Sequence, residues 1–292
     1  MTSSSVSAIA NPRRLLILTP TAHSLPTIPP LLHNLTGVPV SDIPTINPDT
    51  ARDTETETET ETPQTQAQAQ TFAGYTTHSP LHIENRYYTA DVPVWVDEIP
   101  TAGNPPETET GAEAATALAQ WKTEFSSTEA RIVRDAIGGV MVCIRNPDAL
   151  RDTADTADPT DREDVKALKD FLRCIGDVKR LIQTEREGQD DKDKDDEDGG
   201  GGLGVGLGDV LGVIVLVEDG YRDAKPREPV DADDLDADLG AGGDPEEPFS
   251  VSWWEDQLDD IGLMDFEVVS WDPRVGEDDE KDKYGGLFPC GF

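Results

Sequence analysis

The sequence predicts one α/β domain of three layers, built around a mostly parallel sheet. Two observations lead to this fold class. Segments with strand-like and helix-like spacing of apolar residues alternate along most of the chain, which is the order of an α/β fold. Two apolar runs, 140–144 and 210–217, are uninterrupted, as is typical of strands that a parallel sheet buries on both faces.

The strands are predicted from short apolar or alternating runs. Residues 14–18 form an apolar run after a polar start. Residues 81–85 and 92–97 alternate around a polar connection, which predicts a hairpin, and Pro93 places its second strand at an edge or a bulge. The complete predicted set is 14–18, 81–85, 92–97, 140–144, 210–217 and 266–271.

The clearest helix is Asp161–Glu185, because its apolar residues recur at steps of three and four. The segment Thr19–Thr27 contains two prolines and is predicted to be a loop. The other predicted helices are Ile28–Leu35, Ala112–Phe125, Ser127–Ile137 and Val251–Ile261.

The charge of the chain excludes several classes of function. With 60 acidic and 24 basic residues the net charge is −36, which disfavours binding to nucleic acid or to an anionic membrane. No apolar run approaches the length of a membrane span, and Met1–Asn11 is too polar for the core of a signal peptide.

Three well-separated cysteines without a CxxC pair indicate a reducing compartment, so a cytoplasmic location is expected.

Low-complexity, acidic and Gly-rich tracts divide the chain. We expect a domain over 12–272 between a disordered N-terminus, 1–11, and a flexible C-terminal tail, 273–292. Disordered inserts are predicted at about 49–74, 186–208 and 220–247.

A hairpin that adds one antiparallel strand to a parallel sheet is the strand order of small GTPases, so a small-GTPase-like (Rab-like) domain is expected. Its nucleotide motifs are degenerate. The stretch Leu18–Pro26 has neither the Gly nor the Lys of a phosphate-binding loop. Asp97-Glu98-Ile99-Pro100 lacks the Gly of the magnesium-side motif, and Glu218–Asp223 replaces the base-reading motif.

Other motifs that could indicate ligand binding or catalysis are incomplete or lie in the wrong structural context. The glycines of 202–208 precede a strand instead of opening a helix, so they predict a linker and not a dinucleotide site. The acidic run 191–198 lacks the Gly and Glu of an EF-hand loop. The histidines show no metal-binding spacing and no Ser/His/Asp signature is present. We therefore expect no enzyme, no cofactor and no metal.

One segment is distinctive enough to suggest a particular protein family. Ile83-Glu-Asn-Arg-Tyr-Tyr-Thr-Ala-Asp-Val92 resembles the pattern I-[DE]-N-[KR]-Y-Y-[ST]-A-D-[IV] of the alpha- and gamma-adaptin-binding protein family, whose fungal branch is the increased recombination centers protein. The resemblance extends, through the order of strands and helices, over roughly 12–272. It implies a degenerate GTPase-like domain. Unlike the animal members of the family, this chain shows no helical C-terminal region.

The resemblance implies a role in clathrin-mediated traffic. Family members bind large adaptin subunits, gamma and also alpha, and assist assembly of clathrin adaptor complexes; the fungal branch is also linked to Rab-type GTPases. The predicted partner-binding residues of the hairpin are Tyr87, Tyr88 and Asp91. Trp253 and Trp254 are candidate interface anchors, with packing on the sheet as the alternative.

The tail offers a further candidate. Tyr284 and Leu287 fit the aromatic-Gly-x-aliphatic peptides that bind gamma-adaptin ear domains, although Gly286 stands where those peptides usually have Pro, Asp or Glu. Two other functions stay open: an atypical small GTPase or Rab GTPase regulator, and an acidic chaperone for basic proteins such as histones.

Overall fold

The computed structural model describes residues 7–40, 43, 45–46, 69–101, 111–147, 158–190, 209–218 and 247–273. Its strands are β1 (Ser7–Ala8), β2 (Arg14–Pro20), β3 (Thr45–Ile46), β4 (Ala69–Gln70), β5 (Thr76–Glu84), β6 (Tyr88–Ile99), β7 (Ile137–Arg145), β8 (Leu211–Val217) and β9 (Glu267–Trp271). Its helices are α1 (Thr21–Thr36), α2 (Gly111–Phe125), α3 (Arg131–Ala136), α4 (Glu163–Asp190) and α5 (Val251–Asp260), with a 3₁₀ turn at Pro159–Asp161.

The main sheet has seven strands within the described residues. Six of them follow the order β5-β6-β2-β7-β8-β9, and β1 lies on the same side of β6 as β2 does. Only the pairing of β5 with β6 is antiparallel in this sheet. The prediction of an α/β fold with a mostly parallel sheet is confirmed.

Alternate residues of the central strands enter two separate cores. Leu16 and Leu18 of β2 pack with α2, α4 and α5 on one face of the sheet. Leu15 and Ile17 pack with α1 on the other face. Because both faces are covered by helices, both sets must be apolar, which explains the uninterrupted apolar runs in β2, β7 and β8.

The hairpin is longer than its apolar pattern predicts. β5 begins at Thr76, five residues before the predicted start. The added residues are mostly polar because β5 is an edge strand: it pairs with β6 on one side and faces solvent on the other. Pro93 lies where the register of β5 against β6 shifts, between the pairs His78–Val94 and Leu81–Val92, so the predicted bulge is present.

The first helix corrects a second prediction. Residues 19–27 are not a loop, because α1 begins at Thr21 and runs through three internal prolines. The helix is held by its buried stripe of Ile28, Leu31, Leu32 and Leu35, which packs on the sheet. Tertiary burial of this stripe outweighs the hydrogen bonds that the prolines remove.

Three predicted boundaries of disordered segments also differ from those in the structure. Ser7 and Ala8, predicted to lie in a disordered N-terminus, form β1 against β6. Phe72, within the predicted insert 49–74, is fully buried, and Gln70 belongs to β4. The predicted insert at 186–208 begins too early, because α4 continues to Asp190. β1 gains order by pairing with β6, Phe72 by burial in the core next to α1, and β4 by pairing with β3 in a separate two-stranded sheet, contacts that local composition does not reveal.

Replacement of Phe72 tests the position of this boundary. Phe72→Ala is expected to lower the free energy of unfolding by about 3–5 kcal/mol, because it leaves a cavity in the core next to α1. Tyr87→Ala, at a side chain that is 64% exposed, is the control and should change it by less than about 0.5 kcal/mol. Urea denaturation followed by circular dichroism measures both. Equal effects of the two substitutions would contradict the burial of Phe72.

Candidate functional site

The carboxyl ends of β2, β6, β7 and β8 lie at one edge of the sheet, called the carboxyl edge below. Ligands of open α/β sheets bind outside this edge. The three degenerate nucleotide motifs of the sequence fall here, after β2, at the end of β6 and after β8. The side chains at these positions therefore show what this edge can do.

The junction of β2 and α1 leaves no room for a phosphate-wrapping loop. β2 ends at Pro20 and α1 begins at the next residue. The hydroxyl of Ser24 donates to the carbonyl of Thr21 at 3.0 Å, within the helix itself. Thr19, the preceding strand residue, is fully buried.

His23 lies at the same edge and links α1 to β7. Its Nδ1 is 3.2 Å from the backbone nitrogen of Arg145, whose N–H donates to it. Burial, with a smaller effect of the nearby Arg145 charge, lowers the pKa of His23 to about 4. The ring is therefore neutral at pH 7, with Nδ1 as acceptor, and serves as a structural contact.

At the end of β6, two acidic residues hold the turn that precedes β5. Asp97 Oδ1 accepts the backbone N–H of Gly74 at 2.8 Å, and Oδ2 accepts Nε1–H of Trp121 at 3.1 Å. Burial raises the pKa of Asp97, and these hydrogen bonds oppose that rise. Glu98 accepts the backbone N–H of Phe72 at 3.1 Å. The two carboxylates at the position of the magnesium-side motif thus hold the backbone of Phe72 and Gly74 in place.

After β7 and β8, a buried amide joins three elements. Asn146 donates from Nδ2 to the carbonyl of Phe249 at 2.8 Å and to Glu218 Oε1 at 3.1 Å. Its Oδ1 accepts Nε1–H of Trp254 at 3.0 Å. Glu218 stands where the base-reading motif of a GTPase would begin. Here it is part of the contact between β8 and the start of α5.

In the described part of the chain, the cysteines and the possible metal ligands do not form a catalytic or metal-binding site. No group of three or more His, Cys, Asp or Glu residues there has the geometry to hold a metal ion. Cys143 and Cys174 are buried, and burial raises the pKa of both thiols. Within the same residues, no helix is both long and apolar enough to cross a membrane.

The segment Ile83–Val92 forms the tip of the hairpin at the opposite, amino edge of the sheet. Asn85 closes the turn, because its Oδ1 accepts the backbone N–H groups of Tyr87 at 2.8 Å and Tyr88 at 2.9 Å. Its own N–H donates to the carbonyl of Tyr88 at 3.0 Å. The Asn of the family-like segment therefore has a structural role.

The three predicted partner-binding residues of the hairpin are all exposed. Tyr87 is 64% exposed and its ring lies 4.4 Å from the guanidinium carbon of Arg86. Tyr88 is 37% exposed. Asp91 Oδ1 lies 2.7 Å from Nδ1 of His82 across the strand pair, and this contact raises the pKa of His82. The structure thus brings Tyr87, Tyr88 and Asp91 to one hairpin.

The predicted tryptophan anchors are corrected. Trp253 is 8% and Trp254 1% exposed, and the two rings meet edge to face at a centroid distance of 5.0 Å. Both belong to the core on the face of the sheet that α2, α4 and α5 cover, so they pack within the protein and are not exposed anchors. Tyr284 and Leu287 lie outside the described residues.

Sequence reasoning missed two features of these edges. The bridging role of Asn146 depends on residues far along the chain, so no local pattern signals it. Ile9, next to β1, is 46% exposed and donates its N–H to the carbonyl of Thr89 at 2.8 Å. The apolar residues Val6, Ala8 and Ile9 in the Ser-rich N-terminus are the available signal for this strand.

Fold and site together define an α/β protein with an internally hydrogen-bonded carboxyl edge and exposed aromatic residues at a hairpin tip. The chain matches no protein-family model, and no curated protein is similar to it. Among solved structures it is similar to the crystal structure of yeast Irc6p, described as a novel type of conserved clathrin accessory protein, with 11% identity and a TM-score of 0.32. This match covers 90% of the chain and 80% of the yeast chain. The family membership indicated by Ile83–Val92 stays a prediction.

The neutral state of His23 has a measurable consequence. In the folded protein the pKa of His23 is about 4, below the usual histidine pKa of 6.5, so the unfolded chain binds the proton more readily. The resulting stabilisation is complete above about pH 6.5 and is lost as the pH falls toward 4, up to about 3 kcal/mol. His23→Asn keeps an acceptor near the Nδ1 position without a titrating group, so the wild type should lose this much more stability than the variant between pH 7 and 4.

Urea unfolding of both proteins at a series of pH values measures the difference, and NMR titration of the ring measures the pKa directly. A wild type and a His23→Asn variant that lose stability in parallel, or a His23 ring that titrates near pH 6.5, would contradict the buried neutral histidine.

The turn at Asn85 gives a second prediction. Asn85→Ala removes the acceptor of two backbone N–H groups and should lower the free energy of unfolding by about 1–2 kcal/mol. Asn85→Asp retains an acceptor oxygen at the same place and should cost less than half as much. Chemical denaturation compares the two. An aspartate variant as unstable as the alanine variant would show that the side-chain acceptor does not hold this turn.

Proposed function

We propose that this chain is a non-enzymatic clathrin-adaptor accessory factor with a degenerate small-GTPase-like domain. It acts in the cytoplasm, binds a large adaptin subunit, gamma or alpha, and assists adaptor-complex assembly in vesicle-mediated transport. The observation that carries this proposal is the exposure of Tyr87 and Tyr88 at a well-formed turn inside the family-like segment Ile83–Val92.

The sheet supports the GTPase-like part of the proposal. Its order β5-β6-β2-β7-β8-β9, with β5 as the antiparallel edge strand, is the order expected when a hairpin adds one strand to a parallel sheet. At the carboxyl edge the side chains of His23, Asp97 and Asn146 are engaged in hydrogen bonds within the protein. Such an edge favours a scaffold role over nucleotide chemistry.

The physical task of an assembly factor fits an exposed aromatic surface. A large subunit that awaits its smaller partner exposes apolar area, which aggregates unless another protein covers it. Tyrosine gives a large contact area at a low cost in conformational entropy and is enriched in interface hot spots. Binding of this kind persists in moderate salt, whereas binding driven by the net charge of −36 alone would collapse.

Co-expression tests the proposal. The full chain is expressed with the gamma or the alpha adaptin subunit, each alone, and adaptin solubility and co-purification are measured in moderate salt. We expect at least one adaptin to become soluble and to co-purify. Tyr87→Ala/Tyr88→Ala should reduce recovery of that adaptin by about tenfold or more, as for loss of hot-spot residues. Ile132→Ala, at a residue 83% exposed on α3, is the matched control.

Three results would count against the proposal or part of it. If neither adaptin binds the wild type, the accessory role fails. If the folded double variant binds as well as the wild type, the hairpin is not the contact surface. Saturable binding of labelled GTP would favour an atypical GTPase instead.

A further inference from the structure

Three exposed apolar side chains lie on one face of the sheet near the hairpin tip. Ile83 of β5 pairs with Ala90 of β6, and paired residues share a face. Tyr88 is two residues before Ala90 and therefore lies on the same face. Ile9 follows the parallel pair Ala8–Thr89, which sets it beside Ala90. Ile9, Ile83 and Tyr88, called the amino-edge patch below, are 46%, 37% and 37% exposed.

The amino-edge patch continues the surface that α1 covers. Val92 and Val94 follow Ala90 on this face of β6 and pack in the core beneath α1. The C-terminal end of α1 lies over β5 at residues 77–79, where it lines a groove of about 210 Å³. From Ser79 the strand runs on to Glu84, a further distance of about 17 Å. This part of the face extends beyond the end of α1.

The chemistry of this face differs from that of the opposite face of the same hairpin. The residues at positions 81, 83, 88, 90 and 92 are Leu, Ile, Tyr, Ala and Val, and none of them carries a charge. The carboxylates of Glu84 and Asp91 belong to the other face, together with His82. An apolar sheet face of this width is normally covered by a helix.

We propose that the amino-edge patch binds an amphipathic helix of a partner protein, laid on the sheet in line with α1. A length of about 17 Å accommodates about 11 helical residues, or three turns. An apolar stripe at helical spacing packs on Ile9, Ile83 and Tyr88, and basic residues flank it. This inference deepens the proposed function by naming the kind of segment recognised, and it rests on that function only where adaptin is the partner.

The charge of the chain and the end of α1 favour a basic helix. A net charge of −36 attracts a basic segment and repels a second copy of this chain. The C-terminal end of α1, whose last turn has His33 as its one basic residue and no Lys or Arg, presents the negative end of its helix dipole toward this face. Both effects select a cationic partner over the acidic protein itself.

A model peptide tests the inference without adaptin. The probe is a fourteen-residue peptide with Leu and Lys at helical spacing, titrated onto the full chain in about 0.15 M salt. A peptide of the same composition in strict alternation is the control probe. We expect the helical peptide to bind more tightly than the alternating one, and Ile83→Ser and Ile9→Ser each to weaken its binding about tenfold. Ile132→Ser, the same change at a remote exposed site, should leave it unchanged.

Equal binding of the two peptides, or equal loss in Ile132→Ser and Ile83→Ser, would overturn the inference. So would a concentration-dependent dimer that Ile83→Ser abolishes, because the occupant would then be a second copy. Circular dichroism confirms that each variant is folded.

The adaptin co-expression assay, run on the same variants, separates the two proposals. If neither adaptin binds while the helical peptide still depends on Ile83 and Ile9, the adaptin function fails and the helix-binding face stands. If adaptin binds and Ile83→Ser alters neither adaptin nor peptide binding, the helix-binding face fails and the adaptin function stands.

Discussion

The hydrogen bonds of Asn146 fix the relation between the sheet and the last helix. One buried amide satisfies the carbonyl of Phe249, a carboxylate oxygen of Glu218 and the indole N–H of Trp254. A buried polar group without a partner costs about 1–3 kcal/mol, so each of these groups depends on the others for its place in the interior. With the amide in place, α5 packs on the sheet, and the polar groups that follow β7 and β8 are engaged in hydrogen bonds within the protein.

The exposed aromatic side chains of the hairpin lie at the opposite end of the sheet from these internal hydrogen bonds. The parallel strands direct their carboxyl ends toward His23, Asp97 and Asn146, where the polar atoms are engaged within the protein. The hairpin projects from the amino edge and carries exposed Tyr87 and Tyr88. The two ends thus differ: at one the polar side chains are engaged in hydrogen bonds within the protein, and at the other the aromatic side chains are exposed.

The sequence predicts the parts of this structure that local pattern determines. Uninterrupted apolar runs identify β7 and β8, and helical spacing identifies α4, because burial acts on each residue of these elements directly. The family-like segment points to the exposed tyrosines. Order that depends on distant residues is missed: Phe72 and β1 are fixed by the sheet, and Trp253 and Trp254 are buried by contacts with it. A pair of adjacent tryptophans in an acidic stretch looks the same in sequence whether it faces a core or a partner.

The direct passage from β2 into α1 bears on what a nucleotide site at this junction would need. A phosphate-binding loop of the G-x-x-x-x-G-K-[ST] type needs several residues between strand and helix, so that successive backbone N–H groups can turn inward. Point substitutions in Pro20 or Thr21 alter composition and leave the length of the connection unchanged. A nucleotide site at this junction would therefore need additional residues between β2 and α1, together with a new arrangement of the prolines in α1. The length of the connection, and not only the identity of its residues, separates this junction from a phosphate-binding loop.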